Sequence, residues 1–210
     1  MARSKSSSAW LQRHVNDPYV HRARAHGYRS RAVYKLIEIA ERDGFARPGN
    51  AVVDLGAAPG GWSQALAARV GRSGRVVAVD LLEIAPIPGV TIIRGDFGEG
   101  AVLKRLDDAL EGRKIDLVVS DMAPNISGVR STDQARSIHL CELALDFAQA
   151  HLNSGGAFLV KAFQGAGYPE FLAAMRRVFV SVASRKPGAS RGESKEMYLV
   201  GKNLKPGAGT

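Results

Sequence analysis

Four ionisable side chains in this chain are of types that could do chemistry. Lys161 sits inside FLVKAF, an apolar run where an amine is costly to bury unless something pairs with it. Asp121 closes the apolar segment KIDLVVSD, Lys35 lies on an apolar-periodic stretch near the N-terminus, and Glu196 opens EMYLVGK. Amines and carboxylates are the groups that move protons. Taken singly, each also has a plain structural use. Lys161 could snorkel to a sheet end, Lys35 could be a surface lysine and Glu196 an edge-strand charge.

A second set of residues suggests a bound ligand. The segment VVDLGAAPGGWS runs from an apolar strand into a glycine-rich loop. Gly56, Gly60 and Gly61 keep that backbone free of side-chain bulk, so a ligand can approach closely, and the following helix N-terminus adds partial positive charge. The spacing is G-x-x-x-G-G, which differs from the G-x-G-x-x-G dinucleotide fingerprint. Asp80 ends the second strand, where an acid can accept both hydroxyls of a ribose. Asp96 ends the third, beside the expected place of an adenine. Acids at three successive strand ends, counting Asp121, are hard to assign to packing, because buried strand ends do not otherwise favour carboxylates.

The elements that must position these residues alternate along the chain. Ser30 is read as the N-cap of a helix running to about Asp43, with Val33, Leu36, Ile37 and Ala40 on one face. Strands are expected at 51–55, 75–80, 90–96, 114–121, 157–163, 179–185 and 196–202. Helices are expected at about 62–70, 99–111, 132–152 and 168–178. Strands alternating with helices imply right-handed crossovers and a parallel sheet covered on both faces. Only KPGASRGES joins the last two strands, too short for a helical crossover, so that pair should be antiparallel.

The chain has 210 residues, of which 45 % are hydrophobic, enough for one domain with a full core. No apolar run approaches the length of a membrane span, and the first residues lack a secretory h-region. One cysteine, Cys141, fits a reducing cytoplasm and reads as a small core residue. Net charge is +9. Residues 1–35 hold eight basic side chains (Arg3, Lys5, Arg13, Arg22, Arg24, Arg29, Arg31 and Lys35) against one acid, Asp17. Trp10, Tyr19, Tyr28 and Tyr34 are interleaved with them. Cations that meet phosphates and rings that stack on bases suit nucleic acid; a solvated tail is the plainer reading. The expected organisation is a basic, partly disordered extension over 1–29, a catalytic domain over 30–202 and a flexible tail over 203–210.

With these residues in hand, a resemblance becomes specific. SRAVYKLIEI, DLGAAPGGWSQ, VVSDMAPNISG, FLVKAFQG and SKEMYLVG resemble, in order and spacing, the FtsJ/RrmJ family of ribosomal RNA 2′-O-methyltransferases, from about Trp10 to Gly201. The resemblance implies a Rossmann-like, S-adenosylmethionine-dependent methyltransferase fold. Its sheet would be seven-stranded and mostly parallel with one antiparallel strand, and helices would cover both faces. It implies a Lys-Asp-Lys-Glu tetrad that falls on Lys35, Asp121, Lys161 and Glu196. Cofactor contacts fall on Gly60, Trp62, Asp80, Asp96 and Asp121, in addition to the loop glycines Gly56 and Gly61. It further implies methylation of a uridine in 23S ribosomal RNA within the 50S subunit, with no metal, by a cytoplasmic monomer.

That reaction transfers methyl from a sulfonium to a ribose oxygen. The sulfonium is already activated, so the protein must hold the reacting atoms in line, which can supply roughly 7–11 kcal/mol, and help the hydroxyl lose its proton. A neutral lysine could accept the proton, and burial beside a like charge favours a neutral amine. Lys161 is the expected base, Asp121 its orienter, and Lys35 and Glu196 the groups that place the hydroxyl. In the rival scheme the lysines stay charged and only orient the oxygen. Other readings are a methyltransferase acting on transfer RNA or an mRNA cap, a nicotinamide-dependent oxidoreductase, and a non-catalytic RNA-binding module.

Overall fold

The computed structural model describes residues 17–207. Among these, the helices are α1 (Pro18–Ala25), α2 (Val33–Asp43), α3 (Gly61–Val70), α4 (Gly100–Leu110), α5 (Arg130–His151) and α6 (Tyr168–Val178). The strands are β1 (Ala51–Leu55), β2 (Arg75–Asp80), β3 (Val90–Arg94), β4 (Ile115–Ser120), β5 (Leu152–Phe163), β6 (Phe179–Arg185) and β7 (Glu196–Leu204). They form one sheet in the order β3-β2-β1-β4-β5-β7-β6. Pairs from β3 to β5 are parallel. β7 runs antiparallel to both neighbours, β5 and β6, and is the one reversed strand. The Rossmann-like methyltransferase sheet inferred from the sequence is therefore present.

Strand alternation sorts the core into two layers. Val53 and Leu55 of β1, Phe158 and Val160 of β5 and Leu199 of β7 pack with α4, α5 and α6. Val52 of β1, Leu159 of β5 and Tyr198 and Val200 of β7 pack with α2 and α3. Cys141 lies buried in the first layer, where burial pushes its thiol up to about 12, as suits an inert core residue. No helix among the described residues is long and apolar enough to cross a membrane.

Local differences from the sequence reading have local causes. Ser30 does not cap a helix: its Oγ accepts the Ala32 N–H at 3.1 Å in a tight turn, and α2 starts at Val33. β5 begins at Leu152 rather than 157, because NSGG continues as extended chain and Leu152 pairs with Ile115. α1 has no counterpart in the sequence reading. Pro18 opens it, and Asp17 caps it by accepting the Tyr19 N–H at 3.0 Å.

The basic N-terminal stretch is partly integral to the fold. The Arg29 guanidinium donates to the carbonyls of Pro59, Ala85 and Pro86. Arg31 pairs with Asp17 and donates to the Ala189 carbonyl. Tyr34 is buried against Tyr19 and Tyr28, so these rings are packing groups rather than open stacking platforms. Trp10, Arg3, Lys5 and Arg13, and the expected disorder of residues 1–12, lie outside the described residues.

Candidate active site

The sheet brings Lys161 and Asp121 together. Lys161 lies on the α2–α3 side of β5, and the β4–β5 register pairs Ser120 with Val160, so Asp121 follows beside Lys161. Lys161 Nζ stands 3.1 Å from Asp121 Oδ1 and donates to the Asp121 backbone carbonyl at 2.5 Å. The lysine side chain is 8 % exposed, so its only cheap state is a paired one. Across the antiparallel ladder, Lys161 faces Tyr198 and Phe163 faces Glu196. Residues two apart share a face, so Glu196 and Tyr198 lie on the same side as Lys161. α2 packs over that side and delivers Lys35, whose Nζ is 2.7 Å from Glu196 Oε1.

All four predicted catalytic residues therefore meet, as two ion pairs. Tyr198, which sequence reasoning missed, joins them. Its hydroxyl accepts from Lys35 Nζ at 3.2 Å and donates to Asp121 Oδ1 at 2.7 Å. Burial, then the Asp121 and Glu196 charges, push the phenol far above its ordinary range, so Tyr198 keeps its proton and stays a donor. The signal for it was a polar-tipped aromatic two residues after Glu196 in an otherwise apolar strand. Ser190, also missed, donates to Glu196 Oε1 at 2.8 Å. Burial alone would raise the Glu196 carboxyl. Lys35, by charge and hydrogen bond, together with Ser190 and the Lys161 charge, outweighs it and holds the group below its ordinary range. The two amines meet through Tyr198 and Asp121, and each lysine is held by its own carboxylate.

Beside the tetrad lies the cleft at the carboxyl ends of β1 and β4. It is lined by Gly56, Ala57, Ala58, Gly61 and Trp62 from the glycine loop, together with Asp54 and Asp121. Gly56 and Gly60 have φ of 72° and 103°, left-handed values that favour glycine. A Cβ on Gly60 would stand 2.5 Å from Ile87, and one on Gly56 would stand 2.3 Å from Met122, so a side chain at either position would strain the backbone and force a neighbour to move. Trp62 is buried, its Nε1 tied to the Ala32 carbonyl at 2.8 Å and its ring 5.9 Å from that of Tyr198. It thus links the cleft wall to the tetrad.

Asp80 accepts the Ala58 N–H at 2.8 Å and the Leu82 N–H at 2.7 Å, which fastens the glycine loop to β2. Each carboxylate oxygen has a second lone pair for a ligand hydroxyl. Asp96 accepts the Gly98 N–H through Oδ1 and is otherwise exposed. Acceptors at two strand ends and a side-chain-free loop fit the adenosyl part of S-adenosylmethionine. Asp54 was not singled out from sequence, although a lone acid in VVDLG is the same signal as Lys161 in FLVKAF. It is fully buried with Ser63 donating to it at 2.6 Å. Burial first, then the Asp121 and Asp80 charges, push it up to about 7 against the Ser63 bond. No group of three or more His, Cys, Asp or Glu among the described residues could hold a metal ion.

Comparison with known proteins agrees with this geometry. A family profile described as FtsJ-like methyltransferase matches residues 28–204. A ribosomal RNA large subunit methyltransferase E from Azoarcus sp. (strain BH72) is 60 % identical over 205 residues, covering 98 % of this chain and all of the relative. Its counterpart from Chromobacterium violaceum is 57 % identical, covering 96 % and 98 % of the two chains. A solved ribosomal RNA methyltransferase from Plasmodium falciparum superposes with a TM-score of 0.75 at 31 % identity, covering 84 % of this chain and 98 % of the other. The sheet, the paired tetrad and these matches together make the chain a member of the FtsJ-like methyltransferase family.

Proposed function

We propose that this methyltransferase uses S-adenosylmethionine to methylate the ribose 2′-hydroxyl of a uridine in 23S ribosomal RNA of the large (50S) subunit. One observation carries the 2′-hydroxyl reading: two amines and two carboxylates, joined by Tyr198, converge beside the cleft that suits an adenosyl group. Relatives named as large subunit ribosomal RNA methyltransferases, at 57 % and 60 % identity, support the substrate.

S-adenosylmethionine, when bound, supplies a methyl carbon already activated by its sulfonium. Gly56, Gly60, Gly61, Trp62, Asp80, Asp96 and Asp121 are the residues that would hold it. The chain's remaining task is to place an alcohol and take its proton. Lys161 is the proton acceptor. Once Lys161 has given up its ion-pair proton, two N–H bonds of the amine would serve the Asp121 carboxylate and carbonyl, which would leave the Nζ lone pair for the hydroxyl. Asp121 orients that amine. Lys35, held by Glu196, donates towards the ribose oxygen and keeps its lone pair directed at the methyl position. The protein acts as a cytoplasmic monomer with one catalytic domain, to which α1, Arg29 and β7 as far as Leu204 belong, so the extension expected over 1–29 and the tail expected over 203–210 are both shorter than those bounds.

The test is methyl transfer from labelled S-adenosylmethionine to undermethylated 50S particles, free ribosomal RNA and transfer RNA, with the modified position mapped. Label on one uridine ribose of 23S RNA, incorporated best into particles, is the expected result. Label on a base, on transfer RNA or on a cap structure would overturn it.

A further inference from the structure

The chain beside Asp121, Lys161 and Glu196 continues directly into the walls of a groove of about 590 Å³. Ala123, Pro124 and Ile126 follow Asp121 and form one wall. Phe163 to Ala166 follow Lys161 and form the other. Lys195 precedes Glu196, and its carbonyl accepts the Gln164 N–H at 2.9 Å, which closes the end. Lining surfaces are mostly apolar, while Arg130 and Lys195 at the rim are exposed and carry no ion pair among the described residues. The size falls in the range of roughly 300–1,000 Å³ typical of small-molecule sites. An apolar slot with a cationic rim suits a flat heterocycle attached to a phosphodiester.

Both walls are braced. Asp133 accepts from Ser127 N, Ser127 Oγ and Gly128 N, which fixes the base of the loop that follows Pro124. Gln134 donates from Nε2 to the carbonyls of Phe163 and Ala166. On the first braced loop Ile126 is 83 % exposed. A large aliphatic side chain held in water beside a catalytic centre has no packing role in the free protein. Proteins that unstack nucleic acid insert such apolar wedges between bases, and enzymes whose chemistry is on a stacked base turn it out into a pocket; the same device would serve a ribose whose base must be moved aside.

We propose that this groove receives the base of the very nucleotide whose ribose is methylated, turned out of its stack, and that Ile126 fills the place it leaves. The proposal rests on the 2′-hydroxyl reading above and adds where the base goes. Neither Ile126 nor the exposed Ala166 contributes to the core, so Ile126→Ala and Ala166→Trp keep the fold. The first removes the wedge and the second fills the groove.

Both variants are assayed beside the wild type on undermethylated 50S particles with labelled S-adenosylmethionine. Cofactor affinity is measured by calorimetry and stability by thermal melting. Each variant should lose about tenfold or more in kcat/KM, with cofactor affinity and melting temperature unchanged, as expected when a stacked base loses its seat. On an oligoribonucleotide with an abasic ribose at the acceptor position, the Ala166→Trp penalty should vanish. Wild-type rates for Ala166→Trp on base-bearing substrate, or loss of cofactor binding in either variant, would overturn the proposal. A wild type that labels a base instead of a ribose sinks the parent reading; ribose labelling with both variants unaffected sinks only this one.

Discussion

At the scale of single residues, the site works because every charged group has a partner before substrate arrives. An unpaired buried charge costs several kcal/mol, so truncating one partner penalises the other. The role of Lys161 is separable by a substitution that keeps charge and removes basicity. Lys161→Arg should lower kcat by roughly 10²–10⁴-fold across the whole pH range, because a guanidinium cannot accept the hydroxyl proton. A pH–rate profile checks this, and substantial activity in the arginine variant would leave the charged-lysine scheme standing. Tyr198→Phe deletes the hydroxyl between Lys35 and Asp121 but keeps the ring against Trp62. It should cost about ten- to a hundredfold in kcat/KM and also lower the melting temperature, because a hydrogen bond to charged groups, worth about 1.5–3 kcal/mol, is lost in a buried site. Asp54 makes a different prediction. Its carboxyl is pushed up to about 7 in the fold, above its unfolded value near 3.9. Between those values the native state binds more protons than the unfolded state, so stability falls as pH rises through this window and levels off above it. The melting temperature should therefore drop between pH 5 and pH 8, and Asp54→Asn should flatten that drop.

At the scale of elements, β7 has the most demanding position. It lies antiparallel between β5 and β6, carries Glu196 and Tyr198 into the site, and is tied to α2 from its far end. That tie is Asp43 at the end of α2, which pairs with Arg185 of β6 and Lys202 of β7. Burial would raise the Asp43 carboxyl, but these two cations hold it below its ordinary range. The helix that delivers Lys35 is thereby clamped to the strand that delivers Glu196. Gly201 in β7 faces the Phe179 ring, and a Cβ there would stand 2.4 Å from it. Gly201→Ala should destabilise by about 1–3 kcal/mol, because a buried ring must shift, lowering the melting temperature by roughly 2–12 °C. A melting curve unchanged by the substitution would contradict the packing described for this strand.

At the scale of the whole molecule, part of the +9 charge is used by the fold itself. Arg29, Arg31 and Lys35 are engaged inside the fold, whereas Arg3, Lys5 and Arg13 precede the first described element. The deletion that separates RNA attraction from folding therefore ends before Asp17, whose carboxylate caps α1 and pairs with Arg31. Removing residues 1–16 should weaken RNA binding at low salt and make its logarithmic salt slope shallower by up to about 2, as for three lost phosphate contacts. Melting temperature and cofactor affinity should hold. An unchanged salt slope would show that these cations do not meet phosphate.

Periodicity and turn residues were enough to read the alternation of strands and helices, the reversed last strand and the glycine loop, because these are local properties of chain and backbone. Lys161 was legible too, since an amine in an apolar strand announces its own anomaly, whereas Lys35 and Glu196 read alone as surface charges and joined the site only through the family resemblance. The pairing of Asp121 with Lys161 and of Glu196 with Lys35 was expected, but no linear pattern could show the contacts that enforce it. Those are decided by sheet register: β4 against β5 sets Asp121 beside Lys161, and β7 against β5 sets Tyr198 opposite it. Nor could the sequence say that Arg29 and Arg31 serve the fold, or that a groove opens beside the tetrad. Contacts between residues 30 to 160 positions apart depend on how layers pack, and a linear pattern carries no record of distance in space.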